Sequence, residues 1–397
     1  MPWYTGAFIM CTETRMNMKF VHLSDLHIGK RVYGFSLLEE QRYLLQEIAN
    51  ILEEKKVEGV WIAGDIYDTA VPSAEAVTLF DEFLTEISRL NIPVFIISGN
   101  HDSAERLAFG NQVFQRQNIF ISSVYGGKTK PVILQDAYGE IAVYGLPYIR
   151  PAQIRSIHEQ PEIHNHNEAV RYAIEQMEIN PKRRNVILSH QFVTGAVSCD
   201  SEEVYVGGID NVDGNVYDQF DYVALGHIHS PQRITRDTMR YSGSPLKYSF
   251  SEVNQEKKLL LVDLQEKGQI IFQEIPLKAR KEWKEIEGYF EEIISPEFYE
   301  KTDREAYVRI LLKDENEVPS AAGILREIYP GLMRIDYVNQ RKFTENLVQE
   351  REEIKELSPE EILEDFMEKI TDNPLTQEQR AYINPIIEEI WRGGKEK

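Results

Sequence analysis

Five short runs of consecutive apolar residues are set along the chain, and each ends in a polar tail. Phe20-Val21-His22-Leu23-Ser24 leads into Asp25-Leu26-His27, and Val60-Trp61-Ile62-Ala63 leads into Gly64-Asp65. Val94-Phe95-Ile96-Ile97-Ser98 leads into Gly99-Asn100-His101-Asp102. Val186-Ile187-Leu188-Ser189 ends at His190, and Val223-Ala224-Leu225 runs into Gly226-His227-Ile228-His229. Continuous apolar runs of this length, bounded by Gly or polar residues, predict strands buried on both faces. Residues 37–55 and 73–90 carry apolar positions at spacings of three and four, with Pro72 just ahead of the second stretch, and predict helices. The strand–helix–strand alternation predicts an α/β core. In open α/β sheets ligands gather at the carboxyl ends of strands, so five polar tails at five strand ends can converge on one site.

Further strands are predicted at 141–146, 241–242 and 259–264, with a turn at Gly243-Ser244-Pro245. Residues 259–276 predict a closing hairpin that turns at Glu266-Lys267-Gly268. After Pro276 a small α+β unit follows, with strands at 307–312 and 334–338 and a short helix at 320–328. From about 344 the chain reads as helical. Ser358-Pro359-Glu360-Glu361 combines a cap, a first-turn proline and acidic residues at the positive end of the dipole. Leu363, Phe366, Met367 and Ile370 form one apolar stripe, and Ile383, Ile386, Ile387, Ile390 and Trp391, after a cap at Thr376, form another. Such a helix pair docks on its own domain or on a partner. Residues 1–17 lack a basic n-region and read as a disordered extension rather than a signal peptide. The organisation expected is therefore 1–17 extension, 18–275 core domain, 276–343 capping unit and 344–397 helical tail.

A chain of 397 residues suits two or three domains. With 42% apolar and 27% charged residues it is neither disordered throughout nor collagen-like nor a coiled coil. No apolar run approaches the roughly 18 residues that span a bilayer. Lys plus Arg is 44 and Asp plus Glu is 65, a net charge of −21. Such a chain repels phosphate at long range, which argues against a sequence-independent DNA coat. It leaves room for a nucleic-acid enzyme, because bound divalent metals supply local positive charge. Two cysteines, Cys11 and Cys199, make no disulfide framework and fit a reducing cytoplasm.

The candidate chemistry lies in Asp25, His27, Asp65, Asn100, His190, His227 and His229. All are oxygen or imidazole donors, and all follow buried runs. The absence of thiolates disfavours structural zinc. Mixed carboxylate, amide and imidazole donors suit hydrolytic Mn²⁺, Fe or Zn. Seven donors are too many for one ordinary site and about right for two ions, which would lower the pKa of a bound water and offset charge on a phosphoryl group. No Ser or Cys nucleophile elbow and no P-loop is visible. His101, beside Asn100, can donate to a leaving oxygen or to phosphoryl oxygens, and Asp102 is expected to orient its imidazole.

The order Asp25-Leu26-His27, Gly64-Asp65, Gly99-Asn100-His101-Asp102, His190 and Gly226-His227-Ile228-His229 resembles the signature of the calcineurin-like metallophosphoesterases, over about residues 18–275. MKFVHLSDLHIG (18–29), GDIYD (64–68), GNHDS (99–103) and YSGSPLKYSFSE (241–252) further resemble the SbcD family, bacterial relatives of the double-strand-break repair nuclease. That resemblance extends over nearly the whole chain. It implies an α/β fold, a four-layer β-sandwich flanked by helices, with a small α+β cap and a C-terminal helical tail. It also implies that Asp25, His27, Asp65 and His229 hold one metal and Asp65, Asn100, His190 and His227 the other, with Asp65 bridging and His101 as the catalytic histidine. The metal of the family is Mn²⁺ and its substrate is DNA, cut by 3′–5′ exonuclease action on duplex ends and endonuclease action on single strands and hairpins. Its partner is the SbcC ATPase, whose coiled-coil bases receive the tail helices, in a heterotetramer built on a nuclease homodimer without membrane attachment. Some archaeal and eukaryotic relatives have a second histidine three residues after the bridging Asp. Here that position is Asp68, expected near the metals but without a transferable role.

Candidate DNA contacts are Arg150, which with Arg155 flanks Pro151, and a basic cluster of Lys278, Arg280, Lys281 and Lys284. Arg334, Arg341 and Lys342 form another cluster. Each cluster is a solvated face or a guide for the DNA backbone. His158, His164 and His166 read as an exposed loop rather than a metal tract, and Cys199 has no activating neighbour in the sequence. Two other functions stay open on the residues alone. One is a dinuclear phosphoesterase for a small phosphomonoester or cyclic nucleotide, and the other is a non-enzymatic scaffold that recruits a partner through the tail.

Overall fold

The computed structural model describes residues 9–11, 17–202 and 210–338. The expected tail at 344–397, with Arg341 and Lys342, lies outside the described residues. Two sheets form the body of the first unit. One has six strands in the order Ile270–Pro276, Lys258–Leu264, Met18–Leu23, Gly59–Ala63, Val94–Ile97 and Ile119–Ser122. Its last four strands are mutually parallel, and Lys258–Leu264 runs antiparallel to both of its neighbours, so the predicted closing hairpin is present. The other sheet has seven strands in the order Ile9–Cys11, Val132–Asp136, Gly139–Leu146, Arg184–His190, Tyr222–Gly226, Arg236–Tyr241 and Gln232–Ile234.

Strand periodicity of two sorts the apolar residues into layers. Phe20, Trp61, Ala63, Phe95 and Ile97 of the first sheet form one cluster with Val143, Val186, Leu188, Tyr222 and Ala224 of the second. The alternate residues Val21, Val60, Ile62, Val94 and Ile96 pack instead with Leu44, Ile48, Leu79 and Phe83. Those four come from the helices Leu38–Glu54 and Ala74–Ser88, within a residue or two of the predicted bounds. On the outer side of the second sheet Tyr144, Ile187, Val223 and Leu225 pack with Ala169, Val170 and Ala173 of the helix His166–Glu175. The result is the four-layer arrangement that the family resemblance implies. Trp61 links its two sheets, stacking on Phe20 at 4.3 Å and on Tyr222 at 5.3 Å.

Within the segment expected to be an extension, Ile9–Cys11 pairs in parallel with Ile133, Leu134 and Gln135. It covers backbone groups that would otherwise form an open sheet edge. Trp283, Tyr307 and Met333 belong to the core cluster of the first unit, which takes in residues up to Glu285 together with Arg304–Arg309 and Tyr329–Met333. Trp283–Gly288, Tyr307–Leu312 and Leu332–Tyr337 form a three-stranded sheet in that order. The second unit comprises Ile286–Asp303, Ile310–Ile328 and the chain from Arg334. Inside it an Asp314 carboxylate oxygen accepts the Phe290 N–H at 2.8 Å and the Tyr337 hydroxyl accepts the Val318 N–H at 2.9 Å. Among the described residues no helix is long and apolar enough to cross a membrane.

One buried histidine lies between the sheets and away from the polar tails. His22 Nε2 is 3.1 Å from the Leu225 carbonyl, and Nδ1 is 3.0 Å from the Tyr222 hydroxyl. A carbonyl only accepts, so Nε2 carries the proton and Nδ1 accepts from the tyrosine. Burial pushes the imidazole down from its ordinary 6.5 to about 3. Between those two values the unfolded chain binds a proton that the folded chain does not, so stability is lost as the pH falls through that window. The slope from this group is about 1.4 kcal/mol per pH unit. On going from pH 6.5 to 5, urea unfolding should show the native chain losing roughly 2 kcal/mol more than His22→Gln. Equal losses would place the proton acceptor elsewhere.

Candidate metal centre

All the polar tails lie at the carboxyl ends of the central parallel strands of the two sheets. Register brings them together: His190 is aligned with Gly226, the last residue of the neighbouring strand. The loops after Met18–Leu23 and Gly59–Ala63 are zipped to each other. The Asp25 N–H donates to the Gly64 carbonyl at 3.1 Å and the His27 N–H donates to the Asp65 carbonyl at 3.0 Å. Asp25, His27, Asp65 and His227 all have positive φ, at 54°, 44°, 50° and 103°. Left-handed backbone at a non-glycine residue costs of order 1–3 kcal/mol and survives only where the surroundings impose it. Four such residues in one cluster mark a site where side-chain placement overrides backbone preference.

Two glycines make room for the cluster. A Cβ on Gly226 would lie 1.9 Å from the Ala63 carbonyl oxygen, and one on Gly99 would lie 2.0 Å from Asp65 Oδ1. Both obstacles are held by strand or loop backbone. Gly226→Ala should therefore cost at least the 1–3 kcal/mol typical of overpacking, read as a lowered urea midpoint. A midpoint equal to that of the native chain would show that the two sheets can separate here.

The donor atoms converge in two groups. Asp25, His27 and His229 offer atoms all within 4.8 Å of one another, and so do Asp25, Asp65 and His190. Asp65 Oδ2 lies between the groups, 3.6 Å from His27 Nε2 and 3.3 Å from His190 Nε2. Asn100 Oδ1 is 3.0 Å from both His190 Nε2 and His227 Nδ1. His27 Nε2 and His229 Nε2 face each other at 3.1 Å. All seven residues expected from the sequence are thus brought to one place, buried except for Asn100, which is half-buried at the mouth with His101.

The charge balance of this cluster is that of a cation site. Burial pushes the Asp25 carboxyl up to about 7, and its Oδ2 is buried without a hydrogen-bond partner. Burial would raise Asp65 too, but the adjacent His190 holds it well below the usual range. Burial alone would lower His190, yet Asp65 beside it raises it to about 9. Burial and then His190 push His227 down to about 3, and burial with His27 pushes His229 well below its ordinary value. His190 Nδ1 donates to the Ala63 carbonyl at 2.8 Å, so Nε2 is its inward nitrogen. An orphaned carboxylate oxygen, and two imidazole nitrogens directed at each other, suit divalent cations. Such ions replace protons on the donors and offset the cost of burying them.

The neighbours of this centre differ in part from expectation. Asp102 does not orient His101. Its carboxylate accepts the N–H groups of Ile66, Tyr67 and Gly99 at 3.1, 3.0 and 2.9 Å, so it pins two loops together. Adjacency to His101 suggests ring contact, but the turn at Gly99–His101 sends the two side chains to different partners. The imidazole is held by the Asp68 backbone carbonyl, 3.0 Å from Nδ1, and the His101 backbone N–H is accepted by Asp65 Oδ1 at 3.0 Å. Asp68 Oδ1 is 2.7 Å from Lys30 Nζ and 3.4 Å from His27 Nδ1. The second contact is too long for a firm hydrogen bond. Burial acts to raise the Asp68 carboxyl, but His27 and Lys30 hold it down to about 2. Asp68 also makes a donor triad with His27 and His101.

Among the candidate DNA contacts, Arg280 is committed elsewhere, its Nη2 2.8 Å from the buried Glu40 carboxylate. Lys281 lies 3.6 Å from Glu305. Arg150 is exposed, its guanidinium 5.8 Å from the Tyr148 ring, and that ring is 6.3 Å from the His190 ring. The three histidines expected in an exposed loop are not all exposed. His158 ends the helix Pro151–His158 with its ring 3.1 Å from the Tyr125 hydroxyl, and His166 is buried against Tyr148. Only His164 is exposed, and the three form no donor cluster. Cys199 does approach the centre, making a donor triad with Glu202 and His229, but burial and then Glu252 push its thiol up to about 12. Ser201, Glu252 and Lys257 line the outer side of His229 and carry no motif of their own in the sequence, although Glu252 closes the 241–252 stretch quoted above.

Residues 18–231 match the calcineurin-like phosphoesterase family, and residues 280–371 match the type 5 capsule protein repressor C-terminal domain. The SbcD subunit of the SbcCD nuclease from Staphylococcus epidermidis is 32% identical over 374 residues, covering 93% of this chain and 98% of that one. The chain belongs to the SbcD family. The same nuclease subunit from Staphylococcus saprophyticus is also 32% identical, over 382 residues, 95% of this chain and all of that one. A dimetal phosphatase of known structure from Danio rerio is 13% identical with a TM-score of 0.38, covering 67% of this chain and 97% of that one. As an SbcD family member the chain is a metal-dependent phosphoesterase, in agreement with the cation-site balance of its donors. The second matched domain begins at residue 280, ahead of the second unit, and runs on past residue 343.

Proposed function

We propose that the chain is the nuclease subunit of an SbcC–SbcD type complex in the cytoplasm. It hydrolyses DNA phosphodiesters with manganese, as a 3′–5′ exonuclease on duplex ends and an endonuclease on single strands and hairpins, under ATP-dependent control by an SbcC-type partner. The observation that carries this reading is the position of Asp65 Oδ2 between His27 and His190, each of which belongs to its own group of donors. Asp25, His27, Asp65 and His229 hold the first ion. Asp65, Asn100, His190 and His227 hold the second, with Asp65 shared. When bound, such ions lower the pKa of water and offset the charge that develops on phosphorus.

The remaining chemistry is that of the chain itself. A carbonyl accepts from His101 Nδ1, so Nε2, facing away from that anchor, hands a proton to the departing 3′ oxygen from the imidazolium form, in which both ring nitrogens carry one, and the ring is left neutral with its proton on Nδ1. Arg150 is the candidate phosphate contact favoured by its place beside Tyr148, whereas the pairing of Arg280 and Lys281 weakens their claim, and Lys278 stays open. The names of the two staphylococcal relatives support a nucleic-acid substrate and an SbcC partner. The division of labour that follows is a nuclease domain at 18–275, a DNA-binding cap at 276–343 and an SbcC-binding tail at 344–397, in a homodimer within a heterotetramer.

The test is cleavage of an end-labelled DNA hairpin by the full chain with its SbcC-type partner and ATP, in Mn²⁺ and in EDTA. Cutting in Mn²⁺ that EDTA abolishes supports the reading. No cutting of DNA, with turnover of a phosphomonoester or cyclic nucleotide, would overturn it in favour of a small-substrate phosphoesterase.

A further inference from the structure

The outer side of His229 carries a chain of polar groups, buried except for the half-buried Ser201, that the chemistry above leaves unused. His229 Nδ1 is 2.6 Å from Ser201 Oγ, and that oxygen is 2.7 Å from Glu252 Oε1. Glu252 is buried and paired with the buried Lys257, 2.6 Å from Oε2 to Nζ. Lys257 Nζ also donates to the His229 carbonyl at 2.9 Å, so the pair grips the backbone of the same histidine. We propose that the Lys257–Glu252 ion pair, acting through the Ser201 hydroxyl, fixes which nitrogen of His229 carries the proton and thereby sets the affinity of the first cation.

Proton counting selects the tautomer. Oε1 of Glu252 receives three donors, the Tyr248 N–H at 3.2 Å, the Ser249 hydroxyl at 3.0 Å and the Ser201 hydroxyl. Burial acts to raise this carboxyl, but Lys257 brings it below its ordinary value, so it stays ionised and only accepts. Ser201 has a single proton. Given to Glu252, that proton leaves Ser201 Oγ free only to accept, from His229 Nδ1 at 2.6 Å and from the Cys199 thiol at 3.4 Å. His229 must then donate from Nδ1, which leaves the lone pair on Nε2, the nitrogen that faces His27 and the centre. With the opposite tautomer Nε2 would carry a proton and could not ligate. Hydrogen-bond partners that fix the tautomer of a ligating histidine typically govern metal affinity by 10–100-fold. Ser201, Glu252 and Lys257 are positioning residues, two or more bonds removed from any reacting atom.

This inference rests on the two-ion reading, and the test separates the two. Metal-depleted full-length chain is titrated with MnCl₂ by calorimetry for the native chain, Ser201→Ala and Ser201→Thr. Ser201 is the residue to change, because Glu252→Gln strands a buried ammonium and endangers folding. Ser201→Ala should weaken one of two binding steps by about 10–100-fold and leave the other unchanged. Ser201→Thr, which keeps the hydroxyl, should restore most of that loss. Two native-like steps in Ser201→Ala, or a Ser201→Thr as weak as the alanine variant, would overturn the relay while leaving the two-ion centre standing. A native chain that binds no Mn²⁺ would remove the centre itself, and the relay with it.

Discussion

His101→Ala should lose DNA cleavage by about 10²–10⁴-fold, the range for removing a positioned general acid, while Mn²⁺ binding stays close to native. His101 is anchored through Nδ1 to the Asp68 carbonyl and through its backbone N–H to Asp65 Oδ1. Alanine keeps the second of these contacts, so the Asp65 carboxylate stays in place. The imidazole is half-buried, edge-on to the His27 ring at 4.8 Å, so its removal opens no enclosed core cavity. Single-turnover cleavage and Mn²⁺ calorimetry on the same preparation check both halves. A variant that cuts at the native rate would sink the assigned role. One that loses Mn²⁺ as well as cleavage would make His101 a ligand instead of an acid.

The seven donors are legible in the sequence because each closes a buried strand within a short local motif, and parallel sheets place such ends on one side. The α/β core is legible for the same reason, in unbroken apolar runs separated by amphipathic helices, whereas the four layers come only from the family resemblance. What escapes is non-local. Ser201 and the stretch holding Glu252 and Lys257 meet at His229 from some fifty residues apart, and no local spacing predicts their meeting. Ile9–Cys11 pairs with a strand more than a hundred residues on, and one strand of three residues leaves little pattern to read. Adjacency suggests Asp102 as a support for His101, whereas backbone N–H groups from two loops claim its carboxylate. Arg280 reads as a surface cation because its partner, Glu40, belongs to a distant helix.

Asp65→Asn should have the second large effect. Asp65 Oδ2 is the atom that faces both His27 and His190, so its replacement by an amide affects both ions at once. The loss of affinity should exceed the 10–100-fold typical of groups that only support a ligand. Thermal melting gives a reading that does not depend on activity. Ions that bind only the folded chain raise its stability by about 4 kcal/mol per site at a thousandfold excess over Kd. Native chain should therefore melt well above its metal-free temperature in excess Mn²⁺, and Asp65→Asn should show little of that rise. An Asp65→Asn chain with the full rise would mean that the ions, if bound, do not share this carboxylate.

The most direct measurement for a two-ion centre is cleavage of end-labelled duplex DNA by metal-depleted chain and its ATPase partner, as Mn²⁺ is added in counted equivalents. Two ions sharing Asp65 predict little cutting at one equivalent per chain and a steep rise that saturates at two. Saturation at a single equivalent, or cutting that persists in EDTA, would contradict them.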